Sequence, residues 1–237
     1  MWGINRGFSP KHMNKIVKQI SFAFVFFLLV SPDLLAQETK PPFWDEIQAF
    51  KREDSVHPPI KNSILFVGSS SFNFWKTVQQ DFPGYRITNR GFGGSSLPDV
   101  IRYQDDIIYP YQPKQVVIYC GENDLAASDT VSADLVVERF KQLFSSIRQK
   151  LPKASIVFVS IKPSPSRQHL MPKMLEANMK IKSFLQQKKN TVFIDVYHKM
   201  LNEDGTPKDE LFIEDKLHMN KKGYSIWQKS IKPYLLK

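Results

Sequence analysis

Residues 63–72 read SILFVGSSSF: four apolar positions in a row, a glycine, three serines and an aromatic. A run this short, ended by glycine and without polar alternation, predicts a strand buried on both faces, as in a parallel sheet. QVVIYC (115–120), SIVFVS (155–160) and TVFID (191–195) have the same character, and YRITN (85–89) is a shorter candidate. Longer segments between them carry apolar residues at helical spacing. Val136, Phe140, Leu143, Phe144 and Ile147 mark one such face, and KMLEANMKIKSFLQQ and KGYSIWQKSIKPYLL repeat the pattern. PPFWDEIQAFKRED reads as a helix leading into the fold. Repeated strand and helix predict an α/β protein: a three-layer α/β/α sandwich around a central, mostly parallel five-stranded sheet.

Upstream of this rhythm the chain changes character. A basic stretch, KHMNKIVKQ, precedes the apolar run Ile20–Val30, and SPDLLAQ then places Ala36 at a cleavage position. That order is the order of a secretory signal. Eleven residues, all apolar but Ser21, are too few for a bilayer span, which needs about 20. Residues 1–36 are therefore expected to be a signal peptide, with an exported (periplasmic or secreted) single domain at 37–237. Leu34 is larger than the usual residue at its position, which leaves an uncleaved N-terminal membrane anchor as the alternative. The segment carries +3 of the chain's +10, leaving about +7 on the expected domain, which holds no membrane span. Its lysines are scattered and no RNA or DNA motif accompanies them, so a solvated cationic surface is expected rather than a nucleic-acid partner. The single cysteine, Cys120, ends an apolar run and reads as a buried structural thiol.

In a parallel sheet, functional groups gather at the carboxyl ends of the strands. After the first run comes GSSSFNFW, where a serine serves either as a helix cap or as an exposed nucleophile. After the second comes NRGFGGSS, whose glycines bring bare N–H groups close to a ligand; Ser96 stands where a dinucleotide fingerprint needs its last glycine. GENDL follows the third and offers the Asn123 side chain. The last run leads, through the turn-forming NEDGTP, to DKLH. The spacing of Asp215 and His218 suits one helical turn and lets the carboxylate accept from the imidazole. Each stretch alone has an ordinary structural use. Their order is more specific than any member.

Taken together, FVGSSSF, NRGFGGSS, GENDL and DKLH resemble the four blocks of the SGNH hydrolases, the GDSL-type esterases and lipases. The likeness runs from about Ile64 to the C-terminus. It implies a flavodoxin-like SGNH hydrolase fold, with Ser70 as nucleophile and Asp215 and His218 completing a catalytic triad. It further implies an oxyanion hole from Ser70, Gly94 and Asn123. The usual Gly-Asp-Ser-Leu is here Gly-Ser-Ser-Ser, so Ser69 and Ser71 replace an acid and an aliphatic residue. The α/β-hydrolase elbow fails because Phe72 stands where its second glycine belongs.

The implied activity is a serine esterase that cleaves short-chain carboxylic esters, including acetyl groups on carbohydrate, through an acyl-enzyme. No metal and no cofactor enters that chemistry, and His198 reads as a surface residue. The loop IKPSPSRQHL borders the expected pocket; its Lys162, Arg167 and His169 are either contacts to an anionic or sugar group there or, as loops carry polar residues by default, ordinary loop residues. An O-acetyltransferase with the same triad is the nearest rival. A non-catalytic carbohydrate-binding protein on the same fold and a phosphate or flavin binder using the GSSS loop are the others.

Overall fold

In a computed structural model of the protein, residues 2–3 and 40–237 are described. The leader expected over residues 1–36 falls outside them apart from Trp2 and Gly3. The unit Pro41–Lys237 is built on five strands: β1 (Ile64–Gly68), β2 (Ile87–Gly91), β3 (Gln115–Tyr119), β4 (Ser155–Val159) and β5 (Thr191–Ile194). All pairings are parallel and the order is β2-β1-β3-β4-β5. Side chains alternate across a strand, yet both sides of this sheet are covered, which is why the runs read as continuously apolar. Leu65, Val67, Val116, Ile118, Ile156 and Phe158 join one buried cluster; Ile64, Phe66, Val117, Tyr119, Val157 and Val159 join the other.

Helices α1 (Trp44–Val56), α2 (Ser70–Asn73), α3 (Val78–Asp81), α4 (Leu97–Arg102) and α5 (Gln104–Ile107) lie between or before the first three strands. Then follow α6 (Glu122–Ala126), α7 (Ala133–Lys150), α8 (Met171–Gln186) and α9 (Lys221–Ile231). Residues of α1, α4, α5, α7 and α8 pack on the first cluster, and Phe72, Val78, Trp227 and Ile231 bring α2, α3 and α9 to the second. The expected three-layer sandwich is the fold observed. No described helix is long and apolar enough to cross a membrane.

One strand is displaced from expectation. β2 begins at Ile87, two residues after Tyr85. The N–H of Tyr85 is used in a turn, donating to the Phe82 carbonyl. The Gln79 side chain then donates to the Tyr85 carbonyl and accepts from Ile87 N–H, so the ladder cannot open earlier.

Chain order reverses between β1 and β3, the switch point where open α/β sheets place ligands. The register makes the edge level there: Gly68 pairs with Gly91 on one side and Tyr119 on the other. Whatever follows these three residues emerges at one place.

Candidate active site

Gly68 is the first reason that a serine stands at this edge. Its φ is +132°, and an added Cβ would lie 1.8 Å from the Tyr119 carbonyl oxygen. Only glycine lets the chain pass β3 that closely while turning out of the sheet. Ser69 N–H then donates to the same Tyr119 oxygen at 3.0 Å, and α2 starts at Ser70.

A four-residue helix has no stability of its own, so other elements must hold it. Phe72 is fully buried, 4.9 Å from Phe66 and 5.8 Å from Trp227 between ring centroids. Asn89 of β2 donates to the Phe72 carbonyl at 2.7 Å, and Asn73 donates back to the Gly91 carbonyl at 3.1 Å. Tyr224 of α9 donates to the Ser71 carbonyl at 2.9 Å. Two strands and the C-terminal helix thus fix the turn that carries Ser70. Ser69 makes no side-chain cap to this helix.

From the far end of the chain comes the loop 213–219. Its geometry departs from the helical turn expected: Asp215 Oδ1 accepts from Leu217 N–H at 2.9 Å and His218 N–H at 2.8 Å, and Lys216 adopts φ +56°. This non-helical turn leaves Asp215 Oδ2 2.5 Å from His218 Nδ1. His218 Nε2 lies 3.0 Å from Ser70 Oγ. Three residues, the outermost 148 positions apart in sequence, therefore form one hydrogen-bonded line. Burial acts to raise the Asp215 carboxyl, but the imidazole and the two N–H donors outweigh it and hold the group below its usual range. Phe74, half exposed, sets its ring 4.6 Å from the imidazole.

The glycine loop meets the same place through Ser95. Its buried hydroxyl donates to the carbonyls of Gly68 and Phe92, each at 3.1 Å. Its carbonyl accepts from Asn123 Nδ2 at 3.0 Å, tying the start of α6 to the residue after Gly94. Gly94 has φ +75°, and Gly93 N–H is spent on Glu46 Oε1 of α1 at 3.1 Å. Asp124, buried beside Asn123, accepts from Leu97 N–H at 2.9 Å and pairs with Arg139 at 2.7 Å.

Behind α6 sits an ion cluster. The Glu122 carboxylate accepts from Tyr119 Oη at 2.5 Å and pairs with Lys162 at 3.0 Å and Arg167 at 3.4 Å. Burial raises Glu122, and the two cations more than offset it, so the carboxylate stays ionised below its ordinary range. Lys162 is fully buried, so it faces the cluster and not a bound molecule. Arg167 donates to Asn123 Oδ1 at 3.0 Å, and His169 is exposed. Cys120 is buried, as expected from sequence.

Sequence reading had no access to Asn73, Asn89, Ser95, Tyr224 or Glu46. Their spacing carries no signal, because each acts through a tertiary hydrogen bond. The polar residues of the second block, Asn89 and Ser95, were the visible hint.

The model of the GDSL-like lipase/acylhydrolase family matches residues 63–226. The chain belongs to that family. No curated protein matches it. A GDSL-like lipase of Bacteroides thetaiotaomicron is similar in structure, with TM-score 0.67 and 21% identity over 79% of this chain and 95% of that one. A provisionally named platelet activating factor from Streptococcus pneumonia gives TM-score 0.71 at 22% identity, over 81% and 92% of the two chains. A catalytic mutant of an acetylxylan esterase from Geobacillus stearothermophilus gives 0.60 at 15% identity, over 73% and 93%. At these identities the likeness is one of fold.

Proposed function

We propose that the protein is a serine esterase acting on short-chain carboxylic esters, with acetyl groups on carbohydrate as the substrate class. The observation that carries this is the line Ser70 Oγ to His218 Nε2, and His218 Nδ1 to Asp215 Oδ2, at 3.0 and 2.5 Å. A hydroxyl on an imidazole whose other nitrogen meets a carboxylate is the arrangement that activates serine for acyl transfer.

In this reading His218 takes the Ser70 proton as Oγ adds to the ester carbonyl. The tetrahedral oxyanion is received by the N–H groups of Ser70 and Gly94 and by Asn123 Nδ2. The imidazolium returns its proton to the leaving alcohol, and water activated by the same imidazole releases the acid. Asp215 holds the imidazole tautomer and stabilises its charged form. The half-exposed Phe74 ring beside His218 gives an apolar face to a sugar or aryl leaving group. The acetylxylan esterase of similar fold is in keeping with an acetylated carbohydrate. Export is proposed on the order of residues in 11–36 alone, and the N-terminal mass of the expressed protein tests it.

Hydrolysis of p-nitrophenyl acetate, butyrate and octanoate by the purified protein tests the reading, beside Ser70→Ala and His218→Ala. Turnover of the short esters is expected, with both variants reduced by about a thousandfold or more. An inert parent, or an active Ser70→Ala, overturns it.

A further inference from the structure

We propose that Arg167 is a positioning residue for the oxyanion hole: it fixes the orientation of the Asn123 amide and polarises it. This role rests on the esterase reading above.

The chemistry of the partners decides the orientation. Arginine offers only donors, so the Asn123 atom 3.0 Å from Arg167 Nη1 has to be the carbonyl oxygen Oδ1. Nδ2 is thereby turned to the opposite side, where the Ser95 carbonyl accepts one of its two hydrogens at 3.0 Å. The other hydrogen remains for a substrate oxygen. A flipped amide would set two donors against Arg167 and two acceptors against each other at Ser95. The pair of contacts therefore permits one amide orientation only.

Charge adds to geometry. Glu122, the residue before Asn123, is shared between Lys162 at 3.0 Å and Arg167 at 3.4 Å. Two cations around one carboxylate leave this cluster with a net positive charge. Glu122 and Lys162 are buried, where screening by water is weak. Arg167 is the member touching Asn123, and a cation on Oδ1 draws electron density from Nδ2 and strengthens its N–H as a donor. Such strengthening matters most when the ester oxygen becomes an anion, so it acts on kcat rather than on ground-state binding. The loop IKPSPSRQHL is thus tied to the reaction through Asn123.

The test is a double-mutant cycle in the full-length protein, with p-nitrophenyl acetate as probe: Arg167→Met, Asn123→Ala and both together. Removing an oxyanion donor itself reduces kcat by about 10²–10³, so loss of its orienting partner is expected to reduce kcat about ten- to a hundredfold with KM unchanged. In the Asn123→Ala background the same Arg167→Met change should have almost no further effect. Arg167→Lys, which keeps the charge without the fork, should recover part of the loss. Circular dichroism melts of each variant separate misfolding from chemistry; if Arg167→Met does not fold, Arg167→Lys and Arg167→Gln carry the same cycle. Equal losses in both backgrounds, or a change confined to KM, overturn the positioning role while leaving the esterase reading intact. An inert parent removes both.

Discussion

Substituting Gly68 by alanine should damage stability and rate together. The new Cβ would meet the Tyr119 carbonyl oxygen at 1.8 Å and its carbon at 2.7 Å, where ordinary contact begins at 3.4 Å. Relief requires the end of β1 to move by about 1.6 Å from β3, or φ to leave +132°. Either path breaks the bond from Ser69 N–H to that same oxygen. Backbone strain of about 1–3 kcal/mol and a lost hydrogen bond of about 1 kcal/mol sum to roughly 3 kcal/mol. For a unit of this size that lowers Tm by roughly 6–12 °C. Ser70 begins two residues later, and a misplacement of about 1 Å in a reacting group typically costs about a hundredfold in rate. Urea denaturation and p-nitrophenyl acetate turnover read the two effects separately. A variant with unchanged midpoint and kcat within a factor of about three would refute the close-approach reasoning; one destabilised but fully active would show that α2 is held independently of β1.

Asp215→Asn should reduce kcat by up to about 10⁴, by analogy with the loss of the tautomer-holding carboxylate in serine hydrolases. Because the folded Asp215 carboxyl lies below its unfolded value of about 3.9, its contribution to stability is full above that value and fades as pH falls through the lower folded one. Tm of parent and Asp215→Asn should therefore differ near pH 6 and converge as pH falls below about 3.9, and a constant difference would contradict the linkage. Lys162→Met removes one of two cations from buried Glu122 and should destabilise by about 3–5 kcal/mol in urea titration, with Lys162→Met/Glu122→Gln recovering part. His198→Ala should leave ester hydrolysis within about twofold of the parent, since truncation of exposed side chains is usually near neutral; a larger loss would give that residue a role.

How much was visible in the sequence differs between layers. β1, β3, β4 and β5 were legible because burial on both faces removes polar alternation, leaving bare apolar runs. β2 was misplaced by two residues because Gln79, a side chain on α3, decides where its ladder opens. Gly68, Gly91 and Gly121 stand at or just past the ends of β1, β2 and β3. What fixes the serine turn was not legible: Asn89 and Tyr224 reach α2 from positions up to 153 residues away, and Asn73 reaches from α2 to Gly91. Arg167 stood out only as a polar loop residue near a pocket, and its bond to Asn123 depends on the path of the loop after β4.

The Asp-x-x-His spacing makes the same point within one chain, because it occurs three times and two of the three form the same turn. Asp195 and His198 reproduce the local geometry of Asp215 and His218: Oδ1 accepts from the histidine N–H at 3.2 Å and Oδ2 lies 2.7 Å from Nδ1. Both turns are local, but spacing alone does not build them: Asp54, three residues before His57, accepts from Arg90 and Tyr111 instead. They differ in what faces Nε2. The copy at 215–218 lies in the loop 213–219 ahead of α9, where Ser70 Oγ is 3.0 Å from the imidazole. The copy at 195–198 follows β5, at the sheet edge far in order from β1, and its histidine is exposed. Since β3 and β4 separate β5 from β1, no movement of a short turn could exchange the two. In these two turns the carboxylate orients the imidazole, and strand order decides which of them meets the serine.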